Sequence, residues 1–481
     1  MASDKIIGYV NGRSCAILGL GVSNLPIAEL LHSKGIRLFI YDKNPPEAIG
    51  ERAIRLAGEG VDFFSEKETY SEILGELIIR SPGIRPDREG ILRAVARGAE
   101  VIGEIELFAY LTDADTFAIT GSDGKTTSTT LAGKFLESQA GRRTDSRIYV
   151  GGNIGTPLLT LCEEMTERDF AVLELSSFQL MSVKKSPRHV AITNVSPNHL
   201  DWHTDMNEYI AAKTNIIGEN TKRLVTNAEY PTTLDIAKRF GDRVEELYLF
   251  SSEKHSFEEF ERSLGFAPTL AFFEKDGHIL SSDGRTETNL LDISLINLPG
   301  KHNVENFMTA IALTLGVADT EDFATVAKGF FGVEHRLEFV REREGVKFYN
   351  SSIDSSPSRT AAALSAMTGK SLVLICGGYD KNLDYAPLGK AICCHGGVRS
   401  VILTGATADK IRRAIEEFSE NNGIPKPRLI EAETFDGAVK LSAMLAKSGD
   451  HVLLTPASAS FDSFKNFMER GNRFKEIVNL I

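Results

Sequence analysis

The sequence predicts an α/β fold that is built from parallel sheets and divided into three domains. The chain has 481 residues, which is the length of about three domains of ordinary size. Short apolar segments recur along the chain, and several are followed by a glycine-containing turn and then an amphipathic stretch. Such alternation of strands and helices is typical of parallel sheets whose strands are joined by crossover helices.

Composition narrows the class of protein. Apolar residues make up 42% and charged residues 25%, the balance of an ordinary globular protein. Lys and Arg total 54 against 66 Asp and Glu, a net charge of −12, which argues against a nucleic-acid-coating role. No apolar run approaches the roughly 20 residues of a membrane span. The five cysteines are scattered and predict no disulfide framework, so we expect a cytoplasmic protein.

The predicted strands fall into three groups along the chain. They occupy residues 16–18, 37–41, 77–79, 117–120, 170–175, 190–193, 372–375, 401–403 and 451–454. Lys275-Asp276-Gly277 adds a predicted hairpin turn. We therefore expect domains at residues 1–103, 104–332 and 333–481.

The strongest local motif follows the predicted strand 117–120 and opens a helix. It reads Gly121, Ser122, Asp123, Gly124, Lys125, Thr126 and Thr127. Glycines allow backbone N–H groups to face phosphate oxygens, and the helix N-terminus adds its positive dipole end. Lys125 would supply charge to the β- and γ-phosphates and Thr126 a hydroxyl to Mg²⁺. The spacing departs from the usual P-loop, which has a glycine five positions before the position of Gly124, whereas this chain has Ile119 there.

Two further motifs follow neighbouring predicted strands. Glu174 ends an apolar strand and begins the segment Glu-Leu-Ser-Ser-Phe-Gln-Leu, which suits a Mg²⁺ ligand beside a phosphate loop. His199 lies in the segment Asn-Val-Ser-Pro-Asn-His-Leu-Asp, and its imidazole could bind a metal at the same sheet edge. By itself, Lys213 has the pattern of a surface lysine on a helix.

The N-terminal segment Gly19-Leu20-Gly21 resembles part of a dinucleotide fingerprint, with Asp42 placed 23 positions after Gly19 as a ribose-binding acid. Asn24 replaces the third glycine. Alone, this segment would allow an NAD-dependent oxidoreductase, but that class leaves the 121–127 motif without a purpose. A non-catalytic nucleotide-binding switch is a further alternative.

Taken together, four motifs resemble the ATP-dependent Mur ligases of peptidoglycan synthesis. They are segments 121–127, 174–180, 194–201 and 300–303. Segments 174–180 and 456–474 are similar to those of the branch that adds D-glutamate. The resemblance runs from about Gly19 to Phe474, nearly the whole chain. A sister enzyme that adds another amino acid, or extends folate with glutamate, is the nearest alternative.

The resemblance implies a Rossmann-like N-terminal domain, a P-loop ATPase-like central domain and a Rossmann-like C-terminal domain that binds the incoming amino acid. It implies ATP, two Mg²⁺ ions, UDP-N-acetylmuramoyl-L-alanine and D-glutamate as the bound molecules, and an acyl-phosphate intermediate. It also implies a CO₂-derived carbamate on Lys213. We expect a monomer.

The same resemblance assigns roles to individual positions. Besides the 121–127 motif, it places ATP at Asn303, Asn306 and Arg336. Metal ligands would be Thr126, Glu174, His199 and carbamylated Lys213. The UDP-linked substrate would contact Val22, Ser23, Asp42, Ser81, Pro82, Gly83, Asn153, Ser176 and Gln179. D-glutamate would contact Ser355, Lys381, Ser460, Phe461 and Phe467.

The sequence also departs from the family pattern after Asn350. Ser351 stands where an acid is usual, so the carboxylate that the resemblance would place against the nucleotide ribose is absent. Ile353 stands where a lysine is usual, which removes one positive charge near the substrates. Asp354 is a candidate to replace the acid. Asn198 likewise replaces a common acid before His199.

Overall fold

The computed structural model describes residues 5–21, 23–65, 70–143, 145–154, 157–200, 202–298, 300–381 and 383–481. The chain divides into two compact units, Met1–Phe330 and Phe331–Ile481. Within the described residues the strands form three sheets, two in the first unit and one in the second. This confirms the predicted α/β class, and the exact domain boundaries stay a prediction.

The first sheet is parallel, with strand order β3-β2-β1-β4-β5. Its strands are β1 (Cys15–Leu18), β2 (Leu38–Tyr41), β3 (Asp62–Phe64), β4 (Leu77–Arg80) and β5 (Glu100–Gly103). The helices are α1 (Lys5–Val10), α2 (Asn24–Ser33), α3 (Pro46–Ile49), α4 (Glu51–Gly58), α5 (Glu89–Ala96) and α6 (Glu104–Leu111).

Strand β1 is buried on both faces, as expected of a central parallel strand. Cys15 and Ile17 pack into one apolar cluster, while Ala16 and Leu18 pack into another on the opposite face. The chain passes from β1 through β2 to β3 on one side and then returns to β4 on the other side. The carboxyl ends of β1 and β4 therefore border the crevice where open α/β sheets bind ligands.

The second sheet is mixed and has strand order β14-β13-β12-β11-β10-β9-β6-β8-β7. Its strands are β6 (Asp115–Thr120), β7 (Ile148–Gly152), β8 (Phe170–Glu174), β9 (His189–Ile192), β10 (Arg223–Asn227), β11 (Glu246–Ser251), β12 (Leu270–Lys275), β13 (His278–Ser282) and β14 (Glu287–Asp292). The helices are α7 (Lys125–Arg143), α8 (Ser177–Leu180), α9 (Met206–Thr214), α10 (Pro231–Phe240), α11 (Phe257–Leu264), α12 (Lys301–Thr314) and α13 (Thr320–Gly329).

Strands β6 to β12 of this sheet are parallel, and β13 and β14 extend its edge in antiparallel fashion. The hairpin predicted at Lys275-Asp276-Gly277 joins β12 to β13, with Lys275 opposite His278. Asp276 and Gly277 both have positive φ, as a tight hairpin turn requires.

The third sheet forms the core of the second unit, with strand order β15-β16-β20-β17-β18-β19. Its strands are β15 (Glu338–Arg343), β16 (Val346–Asn350), β17 (Ser371–Cys376), β18 (Val398–Leu403), β19 (Arg428–Glu431) and β20 (Asp450–Leu454). The helices are α14 (Pro357–Ala366), α15 (Ala386–Cys394), α16 (Ala408–Asn422), α17 (Phe435–Leu445) and α18 (Phe467–Leu480).

Only the β15–β16 pair of the third sheet is antiparallel among the described strands. Leu372 and Leu374 of β17 face one apolar cluster, whereas Val373 and Ile375 face the cluster on the other side. Helices therefore cover both faces, as predicted for a Rossmann-like sheet. Among the described residues, no helix combines the length and apolar character needed to cross a membrane.

Candidate active site

Three of the predicted motifs meet at one edge of the second sheet. Strand β6 lies between β8 and β9, so that Ile119 is paired with Glu174 and Thr120 with Ile192. Parallel strands end on the same side of a sheet. The loop after β6, the glutamate at the end of β8 and the segment after β9 are consequently neighbours.

The loop after β6 requires its glycines. Gly121 has φ 152°, and a Cβ atom there would lie 1.9 Å from Thr193 Oγ1. Gly124 has φ 79°, and a Cβ atom there would lie 2.4 Å from Asn306 Oδ1. Lys125 then begins helix α7, and its Nζ donates to the carbonyl oxygens of Gly121 and Ser122 at 2.9 and 2.8 Å. The loop has the close-packed form of a phosphate-binding turn at a helix N-terminus.

Residues after β9 hold this loop in place. Asn194 Oδ1 accepts from the Asp123 amide at 2.9 Å, and Thr193 Oγ1 donates to the Asp123 carbonyl at 2.6 Å. The hydroxyl groups of Ser122 and Tyr209 are 2.9 Å apart. Sequence reasoning did not identify Thr193 or Tyr209 as supports of the loop, since contacts 70 to 87 positions apart leave no local pattern.

Glu174 is buried, with 2% of its surface exposed. Its Oε1 accepts from Asn153 Nδ2 at 2.8 Å, whereas Oε2 is buried and has no hydrogen-bond partner in the described structure. A buried carboxylate oxygen without a partner suits a cation. Thr126 is also buried, at the start of α7. The structure thus brings Asn153 and Glu174 together.

These residues fit Mg²⁺ only in combination with other ligands. Within the described ranges, no group of three or more His, Cys, Asp or Glu side chains is arranged to hold a metal ion. Mg²⁺ commonly keeps one or two protein carboxylates and completes its shell with phosphate oxygens and water. Glu174 and Thr126 can provide such a partial ligand set.

Lys213 is not a surface residue. It lies on α9 with 1% of its surface exposed, and its Nζ donates to the Gly121 carbonyl at 2.7 Å. Burial lowers the pKa of this ammonium to about 7, and the nearby charge of Lys125 adds to the effect. The structure therefore places Lys213 beneath the phosphate loop with a readily neutralised amine.

His199 lies in the segment after β9 with a positive φ of 55°. Its ring packs edge-on against Phe178, with centroids 4.9 Å apart, so it lies next to the segment that begins at Glu174. Left-handed backbone at a non-glycine residue is uncommon and is concentrated at functional sites. Asn198 stabilises the turn by accepting from the His199 amide at 2.9 Å.

Ser176 and Gln179 form a reciprocal cap on α8. Ser176 Oγ accepts from the Gln179 amide, and Gln179 Oε1 accepts from the Ser176 amide at 2.9 Å. These two hydrogen bonds fix the start of α8 at Ser177, three residues after Glu174. Their contact with a UDP-linked substrate stays a prediction.

The N-terminal candidates lie at the carboxyl ends of β1, β2 and β4. Asp42 accepts from the Leu20 amide at 2.7 Å through Oδ2, which ties the glycine loop after β1 to the end of β2. Ser81 and Pro82 follow β4 and are partly exposed, and Gly83 is exposed. Ser23 stands at the start of α2, and Val22 lies outside the described residues.

A cavity of about 290 Å³ lies beside the phosphate loop. Asn306 borders it and is linked to Asn303, whose Oδ1 accepts from Asn306 Nδ2 at 3.2 Å. Tyr230 and Phe250 contribute aromatic walls. Sequence reasoning did not single out either aromatic residue. Arg336, the third predicted contact of this nucleotide group, belongs to the second unit.

In the second unit, two predicted D-glutamate residues form a pair. The Lys381 ammonium lies over the Phe461 ring, 5.4 Å from its centroid, and Phe461 is 58% exposed. Ser460 is buried, while Phe467 begins α18 and packs edge-on against His335. An exposed aromatic ring that orients an ammonium group can present that charge to a carboxylate ligand.

The residues that follow Asn350 are buried or partly buried in the second unit. Ser351 is buried, and its Oγ accepts from the Leu337 amide at 3.2 Å. Asp354 is 6% exposed and accepts from Thr455 Oγ1 at 2.9 Å, and burial raises its pKa to about 6. Ser355, a predicted D-glutamate contact, follows directly and is partly exposed.

Family models match most of the second and third sheets. The Mur ligase middle domain matches residues 119–314, and the Mur ligase glutamate ligase domain matches residues 335–458. Among solved structures, UDP-N-acetylmuramate–alanine ligase from Thermotoga maritima superposes with a TM-score of 0.52 at 18% identity, covering 97% of this chain and 99% of that one. E. coli FolC, in complex with DHPP and ADP, has a TM-score of 0.52 at 14% identity and covers 79% and 93%. These likenesses show the fold.

Full-length relatives show the family. The chain is 40% identical over 475 residues to UDP-N-acetylmuramoylalanine–D-glutamate ligase from Ruminiclostridium cellulolyticum, covering 98% of this chain and 97% of the relative. The enzymes of the same name from Acetivibrio thermocellus and Clostridium novyi are also 40% identical, with the same coverage. The chain therefore belongs to the Mur ligase family, and within it to the branch of the UDP-N-acetylmuramoylalanine–D-glutamate ligases.

Proposed function

We propose that this protein is an ATP-dependent ligase that adds D-glutamate to UDP-N-acetylmuramoyl-L-alanine in the cytoplasmic synthesis of peptidoglycan precursors. The observation that carries the chemistry is the meeting of the 121–127 loop with the unpartnered Glu174 carboxylate oxygen on adjacent strands. The choice of D-glutamate is supported by the near-complete coverage of relatives that bear that name.

The reaction needs an activated carboxylate, because a free carboxylate is a poor acyl donor. The γ-phosphoryl group of ATP is first transferred to the carboxylate of the UDP-linked substrate, which forms an acyl phosphate and ADP. The amine of D-glutamate then attacks the acyl carbon, the C–O bond to phosphate breaks, and the amine loses a proton. Transfer of this kind depends mainly on positioning and charge neutralisation.

Residues at the strand ends supply both requirements. Backbone amides of the 121–127 loop and the start of α7 would bind phosphate oxygens. Lys125, whose Nζ donates to loop carbonyls in this structure, would turn toward the β- and γ-phosphates. The adjacent cavity, with Tyr230 and Phe250 in its wall, would hold the nucleoside of ATP. Asn303, Asn306 and Arg336 complete the proposed nucleotide contacts.

Mg²⁺, when bound, screens the charge of the phosphates during transfer. Glu174 and Thr126 would hold one ion, and His199 would hold a second. The buried, unpartnered Oε2 of Glu174 supports the first assignment. The second assignment is supported by the position of His199, whose ring packs against Phe178 at the same edge of the second sheet.

A carbamate on Lys213 would add an anion under the loop. The neutral amine attacks CO₂, an N–C bond forms, and a proton is released. The pKa of about 7 supports this step, because a substantial share of the amine is neutral at physiological pH. Burial against Gly121 and Tyr209 would keep the product away from bulk water.

The remaining assignments concern the two other substrates. Val22, Ser23, Asp42 and the Ser81–Gly83 turn would bind the uridine diphosphate end, and Asn153, Ser176 and Gln179 the muramoyl end. Ser355, Lys381, Ser460, Phe461 and Phe467 would bind D-glutamate. We also propose that the protein acts as a monomer.

The decisive experiment measures phosphate release with ATP, Mg²⁺ and UDP-N-acetylmuramoyl-L-alanine in the presence of D-glutamate, L-glutamate or no amino acid. We expect release only with D-glutamate, together with a product whose mass has increased by one glutamyl residue. Equal release with L-glutamate, or release without the UDP-linked substrate, would contradict the proposed specificity. Lys125→Ala serves as the inactive control.

A further inference from the structure

Arg80, the last residue of β4, is a buried cation at the boundary between the first two sheets. It is 1% exposed, and every hydrogen-bond acceptor recorded for it in the described structure is a backbone carbonyl or a hydroxyl. Its Nη1 donates to the carbonyls of Ser81 and Pro82 at 3.2 and 3.3 Å, and also to that of Ile84. One end of the guanidinium therefore fixes the turn after β4.

The other end of the same guanidinium reaches the second sheet's catalytic edge. Nη2 donates to the Phe178 carbonyl at 3.2 Å and to Ser182 Oγ at 3.1 Å. Phe178 lies in the segment that begins at Glu174, and its ring contacts His199. Arg80 thus sets the separation between the 81–84 turn and this segment through one rigid, planar group.

Burying this charge without a carboxylate is costly, and burial lowers the pKa of Arg80 to about 10. A lysine donates from one nitrogen atom only, and an aliphatic side chain has no donor. Neither could donate at the same time to the carbonyls of the 81–84 turn and to the carbonyl of Phe178. The structural consequence of the arginine is a fixed junction between two substrate-binding regions.

Arg85, the residue directly after the 81–84 turn, makes a second junction between the first and second sheets. Its Nη1 donates to the Trp202 carbonyl at 2.7 Å, and its Nη2 donates to Glu208 Oε1 at 2.8 Å. The guanidinium also stacks over the Trp202 ring, 5.0 Å from its centroid. Trp202 follows His199 by three positions, so this arginine is joined to the His199 segment.

The contact extends further through Glu208. Its Oε2 lies 3.1 Å from His203 Nδ1, and His203 Nε2 lies 2.9 Å from Ser177 Oγ. His203 is buried and stacks on Phe178. A continuous polar path therefore leads from Arg85 back to the helix that follows Glu174.

We propose that Arg80 and Arg85 are positioning residues of the ligase reaction. They dock the 81–84 turn onto segments 177–182 and 202–209, so that a UDP-linked substrate held at its nucleotide end by the first sheet presents its carboxylate to the 121–127 loop. This inference depends on the proposed function. It predicts a defect in the use of the UDP-linked substrate, with ATP binding and the separate binding of UDP preserved.

Arg85→Met is the main test, because Arg85 makes the junction without a recorded contact to the turn backbone. We expect kcat/KM for the UDP-linked substrate to fall about tenfold or more, since small misplacement of reacting groups is costly. The KM for ATP and the Kd of UDP alone, measured by calorimetry, should stay within about twofold. Arg85→Lys should recover part of the loss because it keeps the charge and loses the two-pronged geometry.

Arg52→Met is the matched control. Arg52 Nε donates to Glu29 at 2.9 Å, and this pair joins two helices of the first sheet without reaching the second. It should behave as wild type in all these measurements. Arg80→Lys and Arg80→Met test the junction made by Arg80. We expect kcat/KM for the UDP-linked substrate to fall further in Arg80→Met than in Arg80→Lys.

Amide hydrogen exchange gives a readout that does not depend on turnover. Protection of segments 177–182 and 202–209 should fall in the Arg80 and Arg85 variants and stay unchanged in Arg52→Met. Normal turnover and normal protection in Arg85→Met and Arg80→Lys would overturn the proposal. Equal loss of ATP and UDP binding would also overturn it, because that result indicates general unfolding.

The proposed function can fail separately. If the wild-type protein did not require D-glutamate, the amino-acid assignment would be wrong, whereas the exchange and UDP-binding measurements would still decide the role of the two arginines.

Discussion

The Nζ atom of Lys213 lies 2.7 Å from the carbonyl oxygen of Gly121, although 92 residues separate them in the chain. This contact connects the last turn of α9 to the first residue of the phosphate loop. Lys213 and Lys125 both donate to the Gly121 carbonyl, so two amines converge on one oxygen. Conversion of the buried amine into a carbamate would replace a repulsive neighbour of Lys125 with an attractive one.

Lys125→Ala should abolish turnover and leave the fold intact. Its Nζ donates to the carbonyls of Gly121 and Ser122 in its own loop, and alanine is a good helix former at this first position of α7, so the backbone should keep its conformation. We expect kcat to fall by at least about a hundredfold, as for the loss of a preorganised charge at a transition state. Steady-state kinetics and circular dichroism test this. Lys134→Ala, an exposed position on the same helix, should be fully active.

Lys213→Ala should be inactive and partly rescued by short carboxylic acids such as acetate. The truncation leaves a cavity under the loop in which a small carboxylate can replace the carbamate oxygens. Turnover measured against acid concentration tests the idea, and Lys125→Ala under the same conditions should show no rescue. An active Lys213→Ala variant that is insensitive to CO₂ would remove the carbamate from the mechanism.

Ser460→Ala and Phe467→Ala should raise the KM for D-glutamate more than the KM for ATP. Loss of a hydrogen bond to a charged ligand typically corresponds to roughly tenfold in affinity. Ser365→Ala, an exposed serine on α14, is a suitable control. If the KM for ATP rose more in these variants, the amino-acid site would have to be sought elsewhere.

Asp354→Asn should alter the pH dependence of stability. The pKa of this carboxyl is raised to about 6 in the folded protein, so the folded state binds the proton more tightly than the unfolded state. This tighter proton binding adds to the free energy of unfolding. The added stability is fully present below the unfolded pKa of about 4 and is lost as the pH rises through the folded pKa of about 6.

The wild type should therefore lose up to about 3 kcal/mol of unfolding free energy relative to Asp354→Asn between about pH 4 and pH 7.5. Urea denaturation of both proteins across that range measures the difference. A difference that does not change with pH would mean that Asp354 ionises in the folded protein as it does in the unfolded chain.

Much of the site's location was predictable because it depends on strand ends. Apolar segments that end in Thr120, Glu174 and Ile192 identify the strands, and parallel pairing brings their carboxyl ends to one edge. Several strands were not predicted, among them β7 at one edge of the second sheet and β10 in its interior. Their burial depends on neighbours far along the chain more than on a local alternating pattern.

The sequence by itself determined the α/β class, the glycine-rich loop and the identity of the groups that follow each strand, because these depend on local patterns and on residue type. Only the tertiary structure decided which side chains are buried and what they contact. Lys213 has the local pattern of a surface lysine, yet folding removes it from water and lowers its pKa to about 7. The junction role of Arg80 and Arg85 gave no local signal, because the acceptors that join them to the second sheet lie about a hundred residues away and come within hydrogen-bond distance only when the two sheets pack together.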